Sequence, residues 1–257
     1  FIADLVKEVY FRTKNEVKAK HILIRTSKSE RPKDTLVSYN KILDIRNRIV
    51  NGEDFEKVAE ETSEDKSAQD DSKTGRKGNK GNLGYFSAFK MLASFEDVAY
   101  ATKVGAVSMP FRSQYGYHIL TVDDFRASKG ELEAAHILIT DTTKIGATKI
   151  NDVYAKLQEK EAFDKLAKEY SEDTGSKAKG GKLNKFGTGR MVKSFEAAAF
   201  SLENEGDFST PFRTPFGWHI VKLLKKYPVA SFLDMEKELT AKIKRSARMQ
   251  MSETAVI

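Results

Sequence analysis

Lys18-Ala19-Lys20-His21-Ile22-Leu23-Ile24 and Glu133-Ala134-Ala135-His136-Ile137-Leu138-Ile139 are one short run written twice. Each sets a histidine at the head of an apolar, β-rich stretch, the composition of a buried strand. A second pair follows downstream, Tyr115-Gly116-Tyr117-His118-Ile119-Leu120 and Phe216-Gly217-Trp218-His219-Ile220-Val221. The 257 residues contain only 4 histidines, and all of them lie in these runs. So scarce a residue, in register twice, marks a tandem duplication in which each copy keeps a pair of imidazoles. A repeat of this length governs the fold, so it is read before any other pattern.

The copies align beyond their histidines. Phe55-Glu56-Lys57-Val58-Ala59 matches Phe163-Asp164-Lys165-Leu166-Ala167, and Ser63-Glu64-Asp65 matches Ser171-Glu172-Asp173. Met91-Leu92-Ala93-Ser94-Phe95-Glu96 matches Met191-Val192-Lys193-Ser194-Phe195-Glu196, and Pro110-Phe111-Arg112-Ser113 matches Pro211-Phe212-Arg213-Thr214. The first copy is the longer. Its extra residues fall in polar stretches rich in Ser, Lys and Gly, which read as surface loops.

Within a copy the pattern predicts strand, helices, strand, helix and a closing strand pair. Leu36, Tyr39, Leu43 and Ile49 space as one helical face, ended by Asn51-Gly52, two residues that tolerate left-handed backbone. Phe55, Val58 and Ala59 face inward on a second short helix, and Gly81 to Phe86 turns into a strand. Phe95 to Ala101 reads as a helix carrying Phe95 and Val98 inward, before an antiparallel pair from Val107 to Arg112 and from Tyr117 to Phe125. Helices mixed with an antiparallel sheet make the class α+β. The expected organisation is a helical segment at 1–15, one domain at 16–127, a second at 131–227 and a helical segment at 228–257. The apolar stripes of the terminal segments (Ile2, Leu5, Val6, Val9, Tyr10; Phe232, Met235, Leu239, Ile243) need partners, in a region outside this chain or on the nearest repeat.

Composition narrows the function. The net charge of +7 is spread among lysines and glutamates, apart from the basic run Lys73 to Lys80, which reads as a solvated loop. No nucleic-acid motif or aromatic stacking set accompanies it, so no nucleic acid is expected as partner. No run approaches the length of about 18 apolar residues that spans a bilayer, so membrane insertion is not expected. The chain has 0 cysteines, which excludes disulfides and thiolate catalysis. The histidines lack close ligand spacing, so no metal site is expected. No Gly-x-Ser-x-Gly elbow supports hydrolysis. The opening has neither methionine nor a signal-like stretch, so the chain reads as an excised or processed piece and says nothing of compartment.

Five motifs occur in the same order twice: Ala-x-His-Ile-Leu-Ile, Ser-Glu-Asp, Gly-x-Leu, Met-x-x-x-Phe-Glu and the closing Gly-x-His-Ile. Each is weak alone. Together they strongly resemble the parvulin family of peptidyl-prolyl cis/trans isomerases, over residues 17–125 and 132–225. The resemblance implies two tandem parvulin-like domains, each a four-stranded antiparallel sheet with surrounding helices. Tandem repeats flanked by helices resemble the SurA/PpiC type of extracytoplasmic chaperone-isomerase. That implies a periplasmic or otherwise extracytoplasmic location, unfolded or proline-containing client polypeptides as partners, and no cofactor; it implies nothing about oligomeric state.

Carried over, the family's catalytic positions fall on His21, Asp65, Ser113 and His118 in copy one and on His136, Asp173, Thr214 and His219 in copy two. The substrate-binding positions fall on Leu83, Met91 and Phe95, and on Leu183, Met191 and Phe195. Asp65 and Asp173 stand where some relatives have cysteine, so a thiol mechanism is impossible here. The two imidazoles of a copy are expected to bond each other and the Asp or Ser/Thr side chain, as the pocket floor. Two differences bear on whether both copies are active: Asn184 replaces the glycine that follows the leucine in copy one, and Phe89 stands where copy two has Gly189. A peptide-binding chaperone module with vestigial isomerase activity in one or both repeats is therefore the alternative reading. The loop Arg25 to Lys33 resembles the basic loop of phosphate-directed parvulins, but Glu30 takes a basic place and Asp141 to Lys144 lacks the cluster, so a solvated loop is expected.

Overall fold

The computed structural model describes residues 2–26, 31–246 and 248. It divides into two compact units, residues 1–128 with 231–257, and residues 129–230. In the first, α1 (Ile2–Lys14) leads into β1 (Asn15–Arg25), and after a 3-10 turn come α2 (Leu36–Val50) and α3 (Phe55–Thr62). Then follow β2 (Asn82–Phe86), α4 (Ala93–Ala101), β3 (Phe111–Ser113) and β4 (Gly116–Ala127). The second repeats this as β5 (Glu131–Ile139), α5 (Lys144–Gln158), α6 (Phe163–Tyr170), β6 (Phe186–Gly187), α7 (Lys193–Ser201), β7 (Phe212–Thr214) and β8 (Gly217–Tyr227). The chain then forms α8 (Phe232–Lys244). Both sheets have four strands, in the orders β2-β1-β4-β3 and β6-β5-β8-β7, and every pairing is antiparallel. The α+β class and the tandem parvulin-like architecture are therefore as expected.

Strand alternation makes each sheet two-faced. In repeat one Ile22, Ile24 and Ile119 pack under α2 and α3 with Ile42, Ile45, Phe55 and Val58. Val17, Ala19, Leu120 and Val122 pack on the other face under α4 with Phe95 and Ala99. Repeat two has the same two layers. Burying a Val, Leu, Ile or Phe side chain contributes about 1.5–3 kcal/mol, so a β-rich run with both faces covered holds the central strands in place. Asp54 accepts from Lys57 N at 2.9 Å and so caps α3, whereas the matching α6, preceded by Ala162, starts without a side-chain cap.

Two glycine pairs fix the backbone beside the histidines. Gly81 and Gly181 have φ of +79° and +81°, and a Cβ there would lie 2.4 and 2.3 Å from the carbonyl oxygens of His21 and His136. Gly116 and Gly217, at φ +140° and +138°, turn the chain into β4 and β8 against the carbonyls of Ile24 and Ile139.

Several expectations need correction. The buried face of α2 is Ile42 and Ile45, with Tyr39 and Ile49 packed beside them; Leu36, the first residue of the helix, is exposed. Asn51 keeps φ −83°, and Gly52 alone takes the left-handed turn. On α4 Phe95 and Val98 do turn to the core, Val98 partly buried, and Glu96 and Ala99 are buried beside them. The strand expected from Val107 shrinks to Phe111–Ser113, with Val107 making only an isolated bridge to Thr121. In repeat two the second strand is reduced to Phe186–Gly187. Gly84 supplies a φ of +72° inside β2, and Asn184 at the matching place does not take that conformation. Part of the basic loop, residues 27–30, lies outside the described residues, as do 249–257 of the C-terminal segment.

The terminal stripes find each other. Val6 and Val9 of α1 bury against Leu239 and Ile243 of α8 and Ala88 of repeat one, with Phe89 packed alongside. The last helix thus packs on the first repeat rather than on the nearest one, because the partner of its stripe is the stripe of α1.

Candidate active site

The strand register brings the histidines together. Leu23 pairs with His118 and His21 with Leu120 across β1 and β4. Opposed residues share a face and so do residues two apart on a strand, so both imidazoles emerge on the α4 side. Repeat two uses the same register, with Leu138 opposite His219. The rings lie nearly parallel, 5.7 Å apart at 18° in repeat one and 5.5 Å apart at 23° in repeat two.

The Ser-Glu-Asp segment is laced to the histidine strand residue by residue. Glu64 N donates to Leu23 O at 2.7 Å, and Leu23 N to Ser63 Oγ at 3.3 Å. The Glu64 carboxylate accepts from Arg25 N at 2.7 Å. Glu172, Ser171 and Leu138 repeat this, with Thr140 N in place of Arg25 N. The docking aims the aspartate at the first imidazole: His21 Nε2 lies 2.9 Å from Asp65 Oδ2, and His136 Nε2 lies 2.8 Å from Asp173 Oδ2. The hydroxyls of Ser113 and Thr214 lie 2.7 and 2.8 Å from Nε2 of His118 and His219. Each also accepts a backbone N–H two residues on, at 3.0 Å. The hydroxyl hydrogen is thereby free to point at the imidazole.

In repeat two the chain of bonds is continuous, since the Nδ1 atoms of His136 and His219 are 3.3 Å apart. One assignment satisfies every atom. Thr214 donates to His219 Nε2, His219 Nδ1–H to His136 Nδ1, and His136 Nε2–H to Asp173. In repeat one the Nδ1 atoms of His21 and His118 are buried without a partner, so the expected bond between imidazoles forms in one copy and not in the other. Burial pushes His118 down to about 3 and His219 down to about 4, with the neighbouring imidazole adding to the effect. Both rings are neutral at physiological pH. The bond from His21 holds Asp65 well below the usual carboxylate range, against its own burial. Burial would raise Asp173, but bonds from Ser176 and His136 outweigh it and hold it low.

Above this polar floor stands an apolar wall. Phe95 meets both imidazoles of repeat one edge-on, at 5.6 and 5.8 Å, and Phe195 does so in repeat two at 5.6 and 5.5 Å. Leu83 and Met91 pack against Phe95, and Leu183 and Met191 against Phe195. In repeat one these side chains enclose a cleft of about 310 Å³, lined also by His21, Asp65, His118, Arg25 and Tyr115. A larger hollow of about 530 Å³ in repeat two, beside Tyr154 and Phe208, shares no residue with the histidine site. All fourteen residues singled out from the sequence thus gather in two matching sets.

Two pairs of participants escaped the sequence reading. Phe111 and Phe212 stack on the second imidazole at 5.3 and 5.5 Å. Glu96 Oε1 accepts from Lys90 N at 2.9 Å and Met91 N at 3.0 Å, and Glu196 Oε1 accepts from Arg190 N and Met191 N at 2.8 and 2.9 Å. These glutamates set the loop that presents the methionine. Their signal was recurrence at matching positions in both copies.

The model of the PPIC-type peptidyl-prolyl isomerase (rotamase) domain matches residues 21–124 and 136–225. The foldase protein PrsA of Geobacillus kaustophilus is 43% identical over 118 residues, 46% of this chain and 40% of its own length. The chaperone SurA of Alkalilimnicola ehrlichii is 32% identical over 218 residues, 81% of this chain and 48% of its own. The chain thus spans less than half the length of these two curated relatives. A crystal structure of the peptidylprolyl isomerase PrsA from Bacillus cereus is 40% identical and covers 46% of this chain and 43% of that one, with a TM-score of 0.38. With the family's domain matched over most of its length and built twice around the same histidine pair, this chain belongs to the PPIC-type, or parvulin, peptidyl-prolyl isomerase family.

Proposed function

We propose that the protein is a peptidyl-prolyl cis/trans isomerase and folding chaperone for unfolded, proline-containing extracytoplasmic clients. The observation that carries this reading is an aspartate-histidine floor beneath a Met/Phe wall, present in both repeats. An X–Pro bond favours trans by only about 0.5–1 kcal/mol, but its rotation barrier is about 18–20 kcal/mol. Rotation makes and breaks no bond, so the reaction asks for neither nucleophile nor cofactor. It asks for a site that binds the twisted amide better than the planar one.

Met91, Phe95 and Leu83, and their counterparts Met191, Phe195 and Leu183, hold the pyrrolidine ring. Asp65 and Asp173 are anionic and half-exposed at the rim, where they repel the substrate carbonyl from its planar position. A preorganised charge of this kind acts without reorganisation cost. The histidines and the Ser113 or Thr214 hydroxyl keep the aspartate and the floor in place. Their neutral second imidazole supports an architectural role over proton transfer. The tandem form of the family supports the extracytoplasmic assignment, and no described helix is long and apolar enough to cross a membrane.

Exchange NMR on a short X–Pro peptide tests the proposal, with the intact chain and with Met91→Ala and Met191→Ala. Each substitution should slow the exchange catalysed by its own repeat by about tenfold or more, as expected when about 2–5 kcal/mol of packing is removed from a pocket. If the intact chain binds the peptide but leaves its exchange rate unchanged, the domains are peptide-holding modules and the isomerase reading fails.

A further inference from the structure

The two pocket loops are built alike but are held from behind by different means. Phe89, two residues before Met91, has φ +63°, a left-handed backbone that costs a bulky residue strain. Gly189 has φ +81° at the matching position, where glycine takes it freely. Phe89 is held in this conformation by its surroundings. It packs with α1 and α8, and the Arg248 guanidinium and the Lys242 ammonium sit 5.9 and 6.0 Å from its ring centre.

The anchor of the loop differs in the same sense. Glu96, whose carboxylate receives Lys90 N and Met91 N, is 0% exposed and ion-paired with Arg248. Arg248 also reaches Asp97 at 3.2 Å, and Arg12 of α1 reaches Asp97 at 2.6 Å. Tyr100 donates to the Arg12 carbonyl at 3.0 Å, under the Arg12 guanidinium. Burial raises the Glu96 carboxyl above its usual range, while the two loop N–H groups and Arg248 favour its charge. Glu196 makes the same two loop bonds half-buried, paired with no cation among the described residues. The positions facing the terminal helices in repeat one are changed in repeat two: Phe89 to Gly189, Asp97 to Ala197, Tyr100 to Phe200.

We infer that Arg248 and Phe89 are positioning residues for the pocket of repeat one: the terminal segments grip the Met91 loop through Phe89, Glu96 and Asp97, whereas the Met191 loop rests on Glu196 alone, with Gly189 taking the turn without strain. The inference rests on the reading that Met91 and Met191 hold the substrate proline. It makes one pocket dependent on the terminal segments and leaves the other autonomous.

Amide hydrogen exchange on the intact chain tests it, comparing Arg248→Met and Arg248→Lys with the parent. Lys90 and Met91 report the gripped loop, and Arg190 and Met191 serve as the control in the same molecule. Arg248→Met should speed exchange at Lys90 and Met91 by about tenfold or more, because it leaves a buried carboxylate unpaired, and should leave Arg190 and Met191 unchanged. Arg248→Lys should restore most of the protection. A proline peptide titrated into Arg248→Met should bind more weakly by the Met91 signal and unchanged by the Met191 signal. Unaltered protection at Lys90 and Met91, equal loosening of both loops, or unaltered peptide affinity at Met91 would each overturn the inference. The exchange comparison needs no turnover, so a parent chain that binds no proline peptide would sink the isomerase reading separately.

Discussion

At the scale of single residues, the site is a set of buried polar groups, paired throughout in repeat two and with both Nδ1 atoms unpartnered in repeat one. In repeat two the line runs from Thr214 through His219 and His136 to Asp173. Thr214→Val keeps the shape of the side chain and removes the donor to a buried ring nitrogen. It should cost about 1–3 kcal/mol of stability, the desolvation penalty of an unsatisfied group, read by urea unfolding of repeat two. The same imidazoles set a pH dependence. His118 and His219 are held below their ordinary 6.5, at about 3 and about 4, so below pH 6.5 the unfolded chain binds more protons than the folded one. The stability they contribute is complete above 6.5 and falls away as pH drops toward those values. Asp65 and Asp173, held low, extend the loss below the usual 3.8. Unfolding free energy should therefore decline by about 2 kcal/mol per repeat between pH 7 and about 4.5; a flat urea profile over that range would contradict the depressed His118 and His219. The participants of this set were named from the family resemblance. Glu96 was not, because a glutamate opening a helix usually interacts with that helix's own first turn, and only the fold turns it back to the preceding loop.

At the scale of elements, the histidine strands depend on close backbone approaches that only glycine permits. Gly181 combines φ +81° with a carbonyl oxygen 2.3 Å from where a Cβ would stand. Gly181→Ala should destabilise repeat two by about 1–3 kcal/mol and displace His136, visible as a shifted imidazole resonance and weaker peptide binding. Element type and order followed from periodicity and turn residues. Element extent did not. β3 and β7 are three-residue strands, because the sheet pairs only the residues that face β4 and β8, whatever the β-propensity of their neighbours. The face of α2 turned out to be Ile42 and Ile45 for a related reason: a stripe several apolar residues wide has more than one plausible centre line, and the sheet beneath selects one.

At the scale of the whole molecule, the chain is not divided where its repeats divide. Residues 129–230 make one unit, while 1–128 form the other together with 231–257. Residues 129–230 expressed alone should unfold cooperatively with the stability they have in the intact chain. Residues 1–128 alone, having lost the α8 side of a core built from Val6, Val9, Leu239 and Ile243, should melt several degrees lower, by roughly 4–8 °C for each kcal/mol lost in a domain of about 100 residues. Calorimetry of the two pieces beside the intact chain checks both.

The duplication and the α+β class were legible in the sequence alone, and the family was recognisable from motifs that recur in order in both copies. The first two rest on local patterns, the spacing of scarce histidines and the alternation of apolar residues, which can be read without knowing what lies opposite; the family rests on the resemblance that the recurring motifs carry. Tertiary structure alone decided that the last helix closes on the first, that Phe89 is held in a glycine's conformation, that the buried Glu96 meets Arg248, and that the imidazoles bond each other in one repeat only. Each of these turns on which surface packs across a long separation in the chain, or on a few tenths of an ångström between two rings, and neither is encoded in any single stretch.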